Sequence, residues 1–218
     1  MLVSHRHGFI YTKTLKTAGT SVEVYFEPFC MREGEWVPSH YREEYVSETG
    51  IVGRRCDDHV AVRQGWWNHM PAQDIRDRLG QDCWDRYFKF CVVRDPYEKM
   101  ISAFFFAHQG REECLRPELS PKLFALWLTS FALPVDRNKY LLDGAFALND
   151  VIRHESLADD MGRICRRLDL PWEPQRMPRY KMGVRPDWAS AAHMYEPESR
   201  QVVQDAFAYE FQAFGYPV

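Results

Sequence analysis

Lys16, Thr17, Gly19, Thr20 and Ser21 stand together directly after the apolar stretch Phe9-Ile10-Tyr11. A lysine, a glycine and three hydroxyl residues at this spacing suit an anion held against backbone N–H groups at a helix start. Lys16 offers a point charge, and the hydroxyls of Thr17, Thr20 and Ser21 offer donors. An ordinary turn ending in a helix cap has the same residue types, so the pattern alone leaves both readings open. The register argues against a nucleoside-triphosphate loop, whose lysine follows its last glycine; here Lys16 precedes Gly19.

Arg94 marks a second cationic position, at the end of the apolar run Tyr87-Phe88-Lys89-Phe90-Cys91-Val92-Val93. In open α/β sheets, ligands gather outside the carboxyl ends of the strands. Ser102 follows Asp95 by two helical turns and shares its face, although a tolerated polar residue on an apolar helix reads the same way. A nucleotide kinase or ATPase is expected to carry an acidic magnesium ligand at such a strand end, whereas Asp95 reads as a helix cap. Two cationic sites without a convincing metal acid favour a ligand with two separated anionic groups.

The elements that must position these residues follow from periodicity and punctuation. A first strand is predicted over Gly8–Lys13 and a helix over Thr20–Phe26, stopped by Pro28. Residues 30–68 are irregular and carry Trp36, Tyr41, Tyr45, Trp66 and Trp67, which suits short elements, a lid or an acceptor surface. Pro71 opens a helix that ends at Leu79-Gly80. The 87–93 run reads as a buried parallel strand. Asp95, Pro96 and Glu98 then form a capping-box-like start for a helix to His108. After a loop at 110–121, a helix covers Leu123–Phe131, a short strand lies within Ala145–His154, and a helix covers Leu157–Leu168. Residues 171–190 are proline-rich and hold Arg176, Arg179, Lys181 and Arg185. Val203, Phe207, Phe211 and Phe214 stripe one last helix from Pro197. Strands alternating with crossover helices predict the α/β class, as a three-layer α/β/α sandwich with a largely parallel central sheet. One domain over 1–218 is expected, with 30–68 and 110–121 as acceptor-side or lid insertions.

Composition narrows the classes. The chain has 218 residues and a formal charge of -3, which gives no reason to expect nucleic acid as a partner. Six scattered cysteines form no CxxC pair and no Cys/His cluster, so neither a zinc site nor a disulfide scaffold is expected. No run approaches a membrane span, and polar Ser4-His5-Arg6-His7 interrupts the start. No integral membrane association and a reducing, cytoplasmic setting are expected.

The segment Thr14-Leu15-Lys16-Thr17-Ala18-Gly19-Thr20-Ser21 resembles the 5′-phosphosulfate loop PKTGGTS of the sulfotransferase superfamily, in its carbohydrate (Golgi-type)-like branch. Leu15 replaces a common proline and Ala18 a common glycine. Tyr87 through Phe106 resembles the family's 3′-phosphate element, with its arginine at Arg94 and its serine at Ser102; Lys99 stands where RNPxxR has arginine. Val151-Ile152-Arg153-His154-Glu155-Ser156-Leu157 is similar to the family's V-x-R-Y-E-x-L, and Tyr195 through Tyr216 to its closing helix. The resemblance covers about half of the residues and is that of a soluble, bacterial-like member with a P-loop-like sulfotransferase fold.

It implies 3′-phosphoadenosine-5′-phosphosulfate (PAPS) as donor, 3′,5′-ADP as product and no metal. Lys16, Thr17, Ala18, Gly19, Thr20 and Ser21 would cradle the 5′ end, Arg94 and Ser102 the 3′ phosphate, and Arg179 and Lys181 would fold over the nucleotide. The acceptor is a sugar or small-molecule hydroxyl. Lys16 is the expected stabiliser of the leaving group. His69, kept neutral by the positive end of the following helix, is the first expected base, with His59 as runner-up. Glu155 reads first as a salt-bridge partner of Arg153, and otherwise as a group that polarises or positions another or acts as the base. A nucleotide kinase or ATPase, or a non-catalytic nucleotide-binding protein of the same fold, are the alternatives.

Overall fold

The computed structural model describes residues 1–56, 65–178, 180 and 183–218. Along the chain run β1 (Leu2–Ser4), β2 (Phe9–Thr12), α1 (Gly19–Phe26), β3 (Tyr45–Val46), β4 (Gly50–Val52), α2 (Ala72–Leu79), α3 (Gln81–Arg86) and β5 (Phe88–Val93). There follow α4 (Pro96–Ala107), α5 (Ser120–Ser130), β6 (Leu141–Leu142), β7 (Ala145–Phe146), β8 (Asp150–Arg153), α6 (Leu157–Arg167), α7 (Ala191–Met194), α8 (Pro197–Ala206) and α9 (Ala208–Phe214). The chain gathers into two compact units: Met1–Val93 with Asp136–Tyr180, and Arg94–Val135 with Lys181–Val218.

The first unit is built on a six-stranded sheet of order β3-β4-β1-β2-β5-β8. Alternation sends Phe9, Tyr11, Phe90, Val92 and Ile152 to one face, where they pack with Val22, Tyr25 and Phe26 of α1 and Met161, Ile164 and Cys165 of α6. Ile10 and Cys91, which point to the other face, are also fully buried. Strands covered on both faces need a continuous apolar run, which β5 has. The α/β class expected from sequence is therefore the observed one.

The sheet is parallel across β2, β5 and β8 and antiparallel across β3, β4, β1 and β2. The antiparallel part was not foreseen. β1 precedes the expected first strand and pairs Val3 with Ile10 around the polar turn at 5–8. Three residues are too few for a period-2 signal to show. β3 and β4 lie inside the irregular 30–68 stretch and extend the sheet. The 145–154 segment holds two strands, β7, which pairs with the preceding β6 in a hairpin, and β8. The hairpin turns at Asp143-Gly144, both left-handed with φ of 51° and 80°, as a two-residue turn demands.

The second unit is helical. Asp95 caps α4, accepting from Tyr97 N (2.8 Å) and Glu98 N (3.1 Å). The reciprocal half of a capping box is absent, because the Glu98 carboxylate turns to Arg185 and Arg94 instead. Phe104, Phe124, Tyr195, Tyr97 and Phe211 make an aromatic core with centroid spacings of 4.9–5.4 Å along the chain of contacts. Pro121 lies in the first turn of α5, which starts before Leu123. The last predicted helix is two, α8 and α9, separated at Phe207. Among the described residues, no helix is long and apolar enough to cross a membrane.

Candidate active site

The turn at 13–18 leaves β2 at the sheet edge where the three parallel strands all end. Thr12 pairs with Cys91, and Val93 with Arg153. That edge is the usual ligand side of parallel strands. Several groups pin the turn. Leu15 N donates to Asp136 Oδ2 at 2.8 Å, and the Thr14 hydroxyl donates to the Val92 carbonyl. Thr17 Oγ1 lies 2.8 Å from Thr14 Oγ1, and with the Thr14 hydrogen committed to Val92, Thr17 is the donor of that pair. The Thr17 hydroxyl thus shapes the loop from inside. Lys16 and Ala18 both take left-handed backbone, with φ of 59° and 60°, an uncommon state for residues with a Cβ. The chain then enters α1 at Gly19, whose first N–H groups have no partner within the helix.

The hydroxyls at the helix start are oriented. Thr20 Oγ1 accepts from Lys13 Nζ at 3.1 Å, and Ser21 Oγ accepts from Tyr180 N at 3.3 Å. A hydroxyl whose oxygen is used as acceptor keeps its hydrogen for a ligand. Gly19 has little room: a Cβ there would lie 3.1–3.2 Å from Lys13 Cγ, the Thr14 carbonyl and Tyr11 Oη. Gly19→Ala is expected to destabilise by about 1–3 kcal/mol through overpacking, read as a lowered denaturation midpoint at unchanged m-value.

Beneath the loop lies a buried charge network that sequence reading missed. Lys13 Nζ pairs with Glu23 Oε2 at 2.7 Å, and the Met1 amino group with Glu23 Oε1 at 2.6 Å. Arg55 Nη1 contacts Glu23 Oε2 at 2.7 Å and Glu27 Oε1 at 2.6 Å. Burial alone would raise the Glu23 carboxyl; the Lys13, Met1 and Arg55 cations overcome it and hold it well below the ordinary range. The one available signal was a carboxylate inside the apolar run Val22-Glu23-Val24-Tyr25-Phe26.

His69 stands against the start of this loop. Its Nδ1 is 3.0 Å from the Lys13 carbonyl oxygen. A carbonyl only accepts, so Nδ1 carries the hydrogen and Nε2 keeps the lone pair. Its pKa is well below the ordinary value, first by burial and then by the Lys13 cation. The neutral imidazole foreseen from sequence is thus supported by burial and charge, whereas the following helix begins only at Ala72. The left-handed φ of 56° at His69 is a further local strain.

In the second unit, Arg94 has a largely buried side chain, 3.8 Å from Glu98 Oε2. Ser102 lies half-buried on α4. The buried Lys99 ammonium lies 5.4 Å from the Phe207 ring centroid, a cation–π partner rather than a surface charge. Of the basic 176–185 segment, Arg176 packs over the Tyr25 ring and Arg185 pairs with Glu98. His59, Arg179 and Lys181 lie outside the described residues. Glu155 is exposed at the end of β8, where Arg163 forms ion pairs with Asp150 and Asp160.

Comparison with known proteins agrees with these features. A sequence of unassigned role from Archaeoglobus fulgidus is 26% identical over 112 residues, covering 48% of this chain and 86% of that protein. Carbohydrate sulfotransferase 10 from Xenopus laevis is 48% identical over 46 residues. That match covers 20% of this chain and 12% of the frog protein. No solved structure matches. The sequence model described as "Sulfotransferase family" matches residues 1–125, more than half of the chain, and the chain belongs to the sulfotransferase family.

Proposed function

We propose that this protein transfers the sulfuryl group of PAPS to a hydroxyl of a carbohydrate or small-molecule acceptor, with His69 as general base. The observation that carries this reading is the neutral His69, its Nε2 left as acceptor, hydrogen-bonded to the residue that opens the anion loop. A base in this state is unprotonated at neutral pH and so available to take the acceptor's proton.

The residues present suit such a donor. The loop carries oriented hydroxyls at Thr20 and Ser21, the N–H groups of Gly19 and Thr20 at the start of α1, and Lys16. The nearby carboxylates of Glu23 and Asp136 are engaged by Lys13 and Leu15. When bound, PAPS supplies an activated sulfuryl group and a 3′,5′-ADP leaving group. His69 Nε2 would take the acceptor hydroxyl proton, and Lys16 would balance the charge left on the 5′-phosphate when its bond to sulfur breaks in exchange for the bond to the acceptor oxygen. Thr20, Ser21 and the backbone at Thr17–Gly19 hold the 5′ end, while Arg94 and Ser102 hold the 3′ phosphate. Arg179 and Lys181 are further nucleotide contacts in this reading.

Calorimetry tests the donor assignment. 3′,5′-ADP is expected to bind without added metal, and roughly 10- to 100-fold more tightly than 5′-AMP, the value of one charge-assisted contact. Arg94→Met is expected to erase that preference. Equal affinity of the unaltered protein for the two nucleotides would sink the assignment of Arg94 and Ser102.

A further inference from the structure

Lys13 touches both halves of the chemistry just described, although nothing in its type or spacing marked it out. Its ammonium donates to Thr20 Oγ1 at 3.1 Å and to Glu23 Oε2 at 2.7 Å. Its carbonyl accepts from His69 Nδ1 at 3.0 Å. The side chain is only 3% exposed, and that of Glu23 is 0% exposed. Arg55 shares Glu23 and also donates to the Ser39 and His40 carbonyls, at 2.9 and 2.7 Å. Breaking such a pair leaves an uncompensated buried charge, so the ammonium has no inexpensive alternative position.

We propose that Lys13 is a positioning residue for sulfuryl transfer, its ammonium aiming the Thr20 hydroxyl and its carbonyl setting the His69 tautomer. The inference rests on the roles given to the loop and to His69 above. A cation donating permanently to Thr20 Oγ1 repels that hydroxyl's own hydrogen, which turns outward as a donor. A hydroxyl already oriented needs no reorganisation when charge develops, which is the condition for electrostatic stabilisation. On the base side, the carbonyl keeps Nε2 as the proton acceptor. The charged groups facing His69 among the described residues are the Lys13 ammonium, the Met1 amino group and Glu23. The two cations oppose protonation of the imidazole and Glu23 favours it, after burial as the leading cause.

The test compares Lys13→Met, Thr20→Val and the double variant in the full chain. It follows kcat with PAPS, 3′,5′-ADP affinity, and the imidazole titration of His69 by NMR. Lys13→Met is expected to lower kcat roughly 10- to 100-fold, the value of a charge-assisted hydrogen bond. Adding Thr20→Val should cost little more, since both changes remove the same oriented hydroxyl. His69 should titrate at higher pH in Lys13→Met and stay unmoved in Thr20→Val, which alters packing at the same hydroxyl but keeps the Lys13 charge. Should Lys13→Met fail to fold, Lys13→Gln takes its place, since it removes the charge while its amide can still donate to Glu23. Unchanged kcat with unmoved His69 titration overturns the proposal, and fully additive losses overturn its Thr20 arm. An unaltered protein that does not bind 3′,5′-ADP overturns the donor assignment instead, and the His69 titration still reports the Lys13 link.

Discussion

Lys16→Ala is expected to lower kcat by roughly 10²- to 10³-fold, the usual cost of removing one preorganised group aimed at developing charge. The left-handed backbone at this position separates the loss from a folding effect. Lysine and alanine both carry a Cβ, so the conformation at φ 59° is equally demanding for either. The side chain is half-buried on the loop, and stability should change by about 1 kcal/mol, the ordinary size for one substitution and too little to unfold the chain. A leaving-group role predicts that kcat and kcat/KM fall together, because the interaction is made in the transition state. Loss confined to KM would instead make Lys16 a binding residue. Lys16→Arg should recover only part of the rate, since a planar fork does not reproduce a compact point charge.

Replacement of His69 should be about as damaging, with a loss of roughly 10²- to 10⁴-fold in kcat for a general base. The informative variant is His69→Asn. Asparagine tolerates the left-handed φ of 56° and can donate to the Lys13 carbonyl, so the backbone is kept while the proton acceptor is lost. Full kcat in this variant would remove His69 as base. The pH profile carries a second expectation. Because the folded-state pKa lies well below the ordinary 6.5, the base stays neutral at pH 6.5 and activity falls only as pH drops through the depressed value. Stability follows the same group with a definite sign. Between the depressed value and 6.5 the unfolded chain binds more protons than the folded one, so stability falls as pH drops below 6.5. His69→Asn should remove that part of the pH dependence, measured by denaturant unfolding at several pH values.

The residues legible in the sequence are those governed by neighbours along the chain. The Lys16–Ser21 turn, the Asp95 cap with Pro96, and the buried run of β5 follow from short-range rules, and each stands where those rules place it. Glu98 shows their limit. Its position after Asp95 promised a capping box, yet a longer-range ion pair with Arg185 took its carboxylate. β1 was hidden for a related reason, since its three residues become a strand only by pairing with β2 and β4. His69 stood between these cases. Its neutrality was anticipated, but its cause is burial beside Lys13 rather than the end of α2.

The order strand, anion turn, helix and the register of Lys16 before Gly19 needed only the sequence, because covalent spacing and local hydrogen-bonding rules act over a few residues. The union of Lys13 with Glu23, ten residues on, and of Glu23 with Arg55, thirty-two residues on, was decided by the tertiary fold. Charges at such separations meet only when packing buries them together, and then each must have a partner. The same packing set the His69 tautomer through a carbonyl fifty-six residues away in the chain. Spacing carries the types of the reacting groups, while their protonation and aim depend on a desolvated environment that exists only once the sheet has formed.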